Sequence, residues 1–353
     1  MRPTPTLGKV SRSFLHKAIY PRLGALRPSV LVGPKLGVDN AVVRVGRGKV
    51  LVACTDPLSF IPLLGARESA WLSVNLLASD LTTSGFAPQY GIFDFNLPHR
   101  MKDSEFTEYW KAFHQECLRL GVAIVGGHTG RFLGCDYTII GGGVMYAIGP
   151  ECRYLSSTMA KDGDDIILTK GAAVETTAIF SRAFPRTVRR ALGPRLYERA
   201  RTYLANVTTV KDALAATSVG IHGEGVTAMH DATEGGVIAA IIELANASEL
   251  GADLDLDNVP ISQETREVCR LFQIDPFVSL SEGSLVIASR PERTSKVLNK
   301  LSSEGIEAQV LGRLKSKTQA VYGVSRKGRV RLRYPKEDPY WKAFWKAVRK
   351  GWD

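Results

Sequence analysis

Cysteine is scarce and unpatterned in this chain: Cys54, Cys117, Cys135, Cys152 and Cys269 make an odd set without a C-x-x-C pair. That excludes a disulfide framework or a thiolate zinc site as the organising principle, and leaves these residues as small core side chains. Long apolar runs are missing too. A membrane-spanning helix needs roughly 18 apolar residues, and the best stretch, 139–148, is broken by Gly141, Gly142 and Gly143. Residues 1–20 carry Arg2, Lys9, Arg12 and Lys17 without a continuous apolar core, so no secretory signal is expected and a soluble, cytoplasmic protein is. Acidic residues are the minority, 35 against 46 Lys and Arg. The basic excess gathers over 182–201, 313–333 and from Lys336 onward. Such surfaces suit anionic partners. With no DNA- or RNA-binding motif present, solvated faces account for most of the charge, and nucleic acid is not the expected partner.

With 353 residues, 44% of them hydrophobic, the chain has room for two ordinary domains. Period-two patterning and a G-R-G turn predict a hairpin from 38–45 and 49–54. Helical spacing follows over 67–85, a strand over 90–97, a second helix over 104–120, a short strand over 122–125 and another over 137–148. That order is α+β. The texture turns polar over 150–165, which predicts domains at 1–155 and 156–330. In the second half, strands are expected at 166–169, 254–256, 285–289 and 308–314. Helices are expected at 172–184, 186–205, 211–219, 233–248 and 292–304. The tail, 331–353, carries Trp341, Phe344, Trp345 and Val348 at helical spacing; a stripe this short is expected to dock on its own domain.

Candidate chemistry begins with Asp39 in G-V-D-N-A, Asp56 in C-T-D-P and Asp80 in A-S-D-L, each where an apolar element meets a turn. Magnesium is commonly held by a few such carboxylates together with substrate phosphates, although caps and turns also use Asp. In I-V-G-G-H-T-G-R a buried strand opens onto Gly126, Gly127, His128, Thr129, Gly130 and Arg131. Backbone N–H groups there suit either an anion-binding concavity, with Arg131 adding charge, or a structural turn. The second half offers M-H-D-A-T-E-G-G, read as a strand ending at Asp231 and a helix opening near Thr233, and L-S-E-G-S-L, with Glu282 in a turn before a strand.

In series these segments resemble the PurM-like, AIR synthase-related ATP-binding superfamily, and within it the HypE hydrogenase-maturation group. M-H-D-A-T-E-G-G resembles that group's D-A-T-R-G-G, and L-S-E-G-S-L its N-E-G-K-L. G-V-D-N-A-V-V resembles G-D-D-A-A-V-L, L-S-V-N-L-L-A-S-D-L-T-T-S-G-F-A-P its V-N-x-x-x-N-D-L-A-x-x-G-A-x-P helix, and G-G-H-T its G-G-D-T. The resemblance runs from about Gly37 to Gly312. It implies a ferredoxin-like N-terminal sheet domain that pairs in a homodimer, a C-terminal α/β sandwich domain, and ATP with Mg2+ near the joint. It further implies metal- or phosphate-facing Asp39, Asp56 and Asp80, with His128 as a further metal position, nucleotide contacts from Asn75, Gly126, Gly127, Thr129, Gly130 and Arg131, and catalytic Asp231, Glu282 and Glu175. The chemistry implied is phosphorylation of a carbonyl, carboxamide or acid oxygen on a small molecule or a protein-bound carboxamide.

Three departures stand out. Val38 replaces the first Asp of G-D-D, His128 the Asp of G-G-D-T, and Glu234 the Arg of D-A-T-R-G-G. The sequence ends K-G-W-D, without the P-R-I-C cysteine of the HypE group, and no cysteine precedes Gly37. Neither hydrogenase-maturation dehydration nor selenophosphate synthesis is therefore expected. The alternatives are a catalytically degenerate nucleotide-binding scaffold or sensor, a kinase like thiamine-monophosphate kinase (whose D-G-L signature is absent), and an RNA binder using the tail.

Overall fold

The computed structural model describes residues 7–316, 320–326 and 328–353. The first residues of the chain and parts of the basic run at 313–333 lie outside that set. After α1 (Arg12–Phe14), continued by a wider helical turn over Leu15–Ile19, the first sheet comprises β1 (Val30–Val32), β2 (Ala41–Gly46), β3 (Lys49–Ser59), β4 (Tyr90–Pro98), β5 (Ala123–Phe132) and β6 (Ile139–Pro150). Its order is β1-β2-β3-β6-β4-β5, antiparallel except for the β4–β5 pair. Two helices, α2 (Ala66–Thr82) and α3 (Asp103–Leu120), cover one face and bury an aromatic layer of Phe93, Phe95, Tyr109 and Phe113. Strict alternation along β4 sends Phe93 and Phe95 inward and leaves Tyr90 and Ile92 exposed on the uncovered face.

The second sheet has seven strands in the order β13-β12-β9-β11-β7-β10-β8. They are β7 (Asp165–Thr169), β8 (Val226–Ala232), β9 (Gly251–Asp255), β10 (Ser284–Ser289), β11 (Ala308–Lys315), β12 (Val321–Ser325) and β13 (Gly328–Arg331). β7 and β10 are buried throughout because helices pack on both faces. On one side lies α8 (Gly236–Ala247); on the other lie α7 (Val210–Ser218) and α10 (Pro291–Ser303). A third cluster gathers α4 (Val174–Ala183), α5 (Pro185–Leu192), α6 (Pro194–Arg201), α9 (Gln263–Phe272) and α11 (Pro339–Arg349).

The α+β architecture, built on two sheets, is as expected, with local differences. The basic stretch over 186–205 is two helices, not one: Gly193 interrupts the ladder and Pro194 restarts it. The helix expected from Thr233 begins at Gly236, because Gly235 and Gly236 take left-handed backbone conformations that form its entry turn. β12 and β13 were not expected; β13 ends at Arg331, where the segment read as basic tail begins. That tail docks as α11: Tyr340 and Phe344 are buried, and Tyr340 stacks on Phe180 at 5.1 Å.

Candidate active site

Asp39 precedes β2, in a turn pinned from two sides. Buried Asn40 donates its amide to the Asp80 carbonyl and to Thr83 Oγ1, both at 2.8 Å, and so ties the turn to the end of α2. Gly37 sits at φ +74°, and a Cβ there would lie 2.7 Å from the Glu243 carbonyl. Only glycine lets this turn of the first sheet rest directly on α8 of the second. The inward row of β3, Val50, Val52 and Cys54, continues in register to Asp56. From the opposite side β8 delivers His230 and Asp231, both buried. The result is a chamber of about 730 Å³ whose walls include Asp39, Asp56, Asp80, His230, Glu234 and Glu243. Asp231 lies just behind: ligand atoms of Asp39, His230 and Asp231 fall within 4.8 Å of one another.

His230 is clamped between carboxylates. Its Nδ1 lies 2.6 Å from Asp39 Oδ1, and its Nε2 lies 3.0 Å from Glu243 Oε2. Burial alone would discharge the ring, but Asp39 and Glu243 outweigh it and hold the His230 pKa well above the ordinary value. Burial likewise opposes the Glu243 charge, yet the hydrogen bond from His230 and the charge of Lys9 carry Glu243 down to about 2. His230 thus orients Asp39, and its ring belongs to the group whose ligand atoms converge.

Asp231 is in the opposite situation. Both carboxylate oxygens are sealed from solvent and have no hydrogen-bond partner among the described residues. Burial, and then the charge of Asp39, push its pKa up to about 7. Burial also lifts Asp80 well above the carboxylate range, with Asp231, Asp56 and Asp39 adding to it. Asp56 is raised to about 6 by burial, in part offset by Lys9. Deeper in the second domain, burial and then Asp231 and Glu175 raise Glu282. Glu175, in the first turn of α4, is pushed up to about 8 by burial and then by Asp338. Unpaired buried carboxylates cost several kcal/mol apiece. A buried cluster of like charges, with both Asp231 oxygens unpartnered among the described residues and ligand atoms of Asp39, His230 and Asp231 converging, fits a hard divalent cation such as magnesium.

Asp39, Asp56, Asp80 and Asp231 thus come together, with Glu282 and Glu175 coupled to them electrostatically. Asn75 does not join them. It is fully buried between α2 and α3, where its amide bonds Glu116 Oε1 at 2.7 Å and the Trp71 carbonyl at 3.0 Å, so it serves helix packing. The G-G-H-T-G-R segment is not a loop either. Parallel pairing with β4 keeps Gly126, Gly127, His128, Thr129, Gly130 and Arg131 extended within β5, at the sheet edge. These residues do not line the chamber within one copy of the chain; Gly126, Gly127, His128 and Thr129 line a separate hollow of about 360 Å³ beside Trp110. Arg131 is engaged by Asp103 and by the Met101 carbonyl. Sequence reasoning missed Lys9, Glu243 and Tyr334. Glu243 was visible only as the one charged position in an otherwise uncharged helix, and nothing local marked the other two.

Two matches to known families cover most of the chain. Residues 37–146 match the family described as AIR synthase related protein, N-terminal domain, and residues 161–324 match AIR synthase related protein, C-terminal domain. The chain is 26% identical over 320 residues to the selenide, water dikinase of Methanocaldococcus jannaschii, covering 86% of this chain and 87% of that one. It is 24% identical over 286 residues to the carbamoyl dehydratase HypE of Rhizobium leguminosarum, covering 79% and 77%. In fold it is similar to crystalline HypE of E. coli (TM-score 0.69, 21% identity, 89% and 94% covered). It is also similar to a HypE crystallised with ATP (TM-score 0.62, 18% identity, 95% and 98% covered).

Proposed function

Because the chain belongs to the AIR synthase related family, matching both of its domains in order, we propose that it is an ATP-dependent enzyme. Its reaction would phosphorylate a carbonyl, carboxamide or acid oxygen of its substrate. The observation that carries this reading is Asp231: two buried oxygens, unpartnered among the described residues, directly behind Asp39. A magnesium ion held by Asp39, Asp56, Asp80 and Asp231 would neutralise the charge of the polyphosphate. The acceptor oxygen forms the new bond to the γ-phosphorus as the bond to the bridging oxygen breaks, and ADP leaves with that electron pair. The proton that a carboxamide nitrogen gives up in this step leaves to solvent, while Glu282, its pKa raised by burial, stands behind the chamber wall. His230 holds Asp39 in place throughout.

Calorimetry with ATP and magnesium, followed by a phosphate-release assay, tests this. Asp80→Asn is expected to weaken magnesium-dependent ATP binding at least tenfold and to abolish release. A nucleotide-binding scaffold is the second reading, favoured by Val38, which packs against the apolar core where the family motif carries an acid. ATP binding with no phosphate release against any carboxamide or carboxylate would select it.

We also propose a homodimer. Ile92 and Val144 pair across β4 and β6, with Tyr90 stacked on Tyr146 at 5.2 Å beside them. Ile92, Val144 and Ile148 are each 36–44% exposed on the uncovered sheet face. A contiguous apolar patch of this kind supports a protein interface. Val144→Asp is expected to convert the dimer to monomer in sedimentation while the melting curve of each subunit persists; an unchanged sedimentation coefficient would count against this face. Such pairing is also how β5 would reach a chamber, from the second copy. As for the membrane, no helix among the described residues is long and apolar enough to cross one.

A further inference from the structure

The chamber has a second lining, supplied by the segment before β1. Residues 7–20 run across its mouth and are clasped there by Glu234, the residue standing where the resemblance places an arginine. The backbone N–H of Lys9 donates to both Glu234 oxygens, at 3.0 and 2.9 Å, and Lys9 Nζ donates to Thr233 Oγ1 at 2.7 Å. Gly8 makes the clasp possible. At φ +88° a Cβ would fall 2.2 Å from Glu234 Oε1, so no larger residue lets the strap come so close. Lys9 stays accessible at the surface while its ammonium is ringed by protein. Burial there is outweighed by Glu243, Tyr334, Asp80 and Glu282, which keep it protonated.

Arg12 is the more telling residue. Ser11 caps the short helix α1 by accepting from the Phe14 N–H, which fixes where Arg12 points. Its guanidinium lies 3.5 Å over the Tyr334 ring. Nε and Nη2 are sealed from solvent, yet neither has a hydrogen-bond partner among the described residues. A guanidinium in that state leaves donors unsatisfied at a cost, unless an anion takes them. The chamber wall therefore carries both signs of charge: carboxylates at Asp39, Asp56, Asp80, Glu234 and Glu243, and cations at Lys9 and Arg12.

We propose that Lys9 and Arg12 form an anion seat for a phosphate or carboxylate group of the substrates, and that Glu234 holds the strap bearing them. The strap thus returns to the chamber, from another part of the chain, the positive charge lost where Glu234 replaces arginine. This rests on the phosphoryl-transfer reading above. It adds that the group held by Lys9 and Arg12 is anionic.

The test is calorimetry on the full chain with Mg-ATP, Mg-ADP and inorganic phosphate, each titrated into wild type, Arg12→Gln, Lys9→Gln and Lys17→Gln. Lys17 lies on the same strap but not on the chamber wall, so it controls for net charge. If the seat holds the terminal phosphate of the nucleotide, Arg12→Gln and Lys9→Gln lose at least tenfold in Mg-ATP affinity and keep Mg-ADP affinity. If it holds the acceptor anion, both nucleotides bind normally and phosphate affinity falls tenfold. Either result supports the seat. Glu234→Gln should also speed tryptic cleavage after Lys9 and Arg12, a readout independent of binding. Chamber variants that bind every probe as Lys17→Gln does would overturn the proposal, and so would a wild type that binds none of them. A wild type that binds phosphate through Arg12 but no nucleotide would overturn the ATP reading and leave the seat standing.

Discussion

Asp231→Asn is expected to raise the melting temperature of the metal-free protein while lowering its magnesium-dependent ATP affinity about a hundredfold or more. The two effects have one cause. In the absence of a cation the Asp231 carboxylate is buried beside Asp39 with nothing among the described residues donating to either oxygen. Its pKa stands at about 7, raised by burial and then by Asp39, against an ordinary 3.8. For an acid whose folded pKa is raised, the charged form opposes folding. The penalty is nearly absent at pH 4, grows as pH climbs toward 7, and is complete above it. A displacement of that size corresponds to at most roughly 4 kcal/mol. Shared charge among Asp39, Asp80 and Asp231 spreads the cost, so a gain on the order of 1–3 kcal/mol and a few degrees is the realistic expectation. Asparagine removes the charge, and with it the ligand. Thermal melts in chelator at pH 5 and pH 8, with and without added magnesium, measure both sides. The stabilisation should be larger at pH 8, and magnesium should raise the wild-type melting temperature but not that of the variant. A variant that melts lower than wild type in chelator would mean the carboxylate is already compensated, and the cation reading would fall.

The legible and illegible parts of this site divide along physical lines. Asp80 was readable because helix periodicity fixes where α2 stops, and Asp56 because it continues the inward row of Val52 and Cys54, although it lies inside β3 rather than after it. Asp231 was readable from M-H-D-A-T-E-G-G, where a strand gives way to a helix. Asn75 was not: a polar residue at helical spacing looks the same whether it faces a ligand or, as here, Glu116 and Arg119 of the neighbouring helix. The G-G-H-T-G-R segment misled because glycine pairs suggest a turn. Edge strands tolerate glycine when a parallel neighbour supplies the hydrogen bonds, as β4 does. Lys9, Arg12 and Tyr334 were invisible for a different reason. Lys9 meets Glu234 across 225 residues of chain, and no local pattern encodes such a contact. Fold class came through because it depends on element order alone.

Glu175→Gln should flatten the alkaline loss of stability without harming magnesium-dependent nucleotide binding. Glu175 lies in the first turn of α4, buried, with Oε2 unpartnered among the described residues. Burial first, and then the charge of Asp338, bring its pKa to about 8 from an ordinary 4.5. At pH 6 the folded protein carries it neutral, and by pH 9 it is ionised. The stability cost therefore accumulates as pH rises from about 4.5 to 8, with an upper bound of roughly 5 kcal/mol. Glutamine keeps an oxygen for the Glu282 N–H and gives up the charge. Urea unfolding in chelator at pH 6 and pH 9 should show wild type losing far more than the variant between the two. Asp338 ties this to the tail. It accepts from the Gly235 and Tyr340 N–H groups, each at 2.8 Å, and so fastens α11 to the entry turn of α8 while placing a second carboxylate near Glu175. Docking the aromatic tail thus sets the charge environment behind Glu282. Should wild type and Glu175→Gln lose stability in parallel from pH 6 to pH 9, Glu175 is not the group that titrates there, and the electrostatic link between tail and active site fails with it.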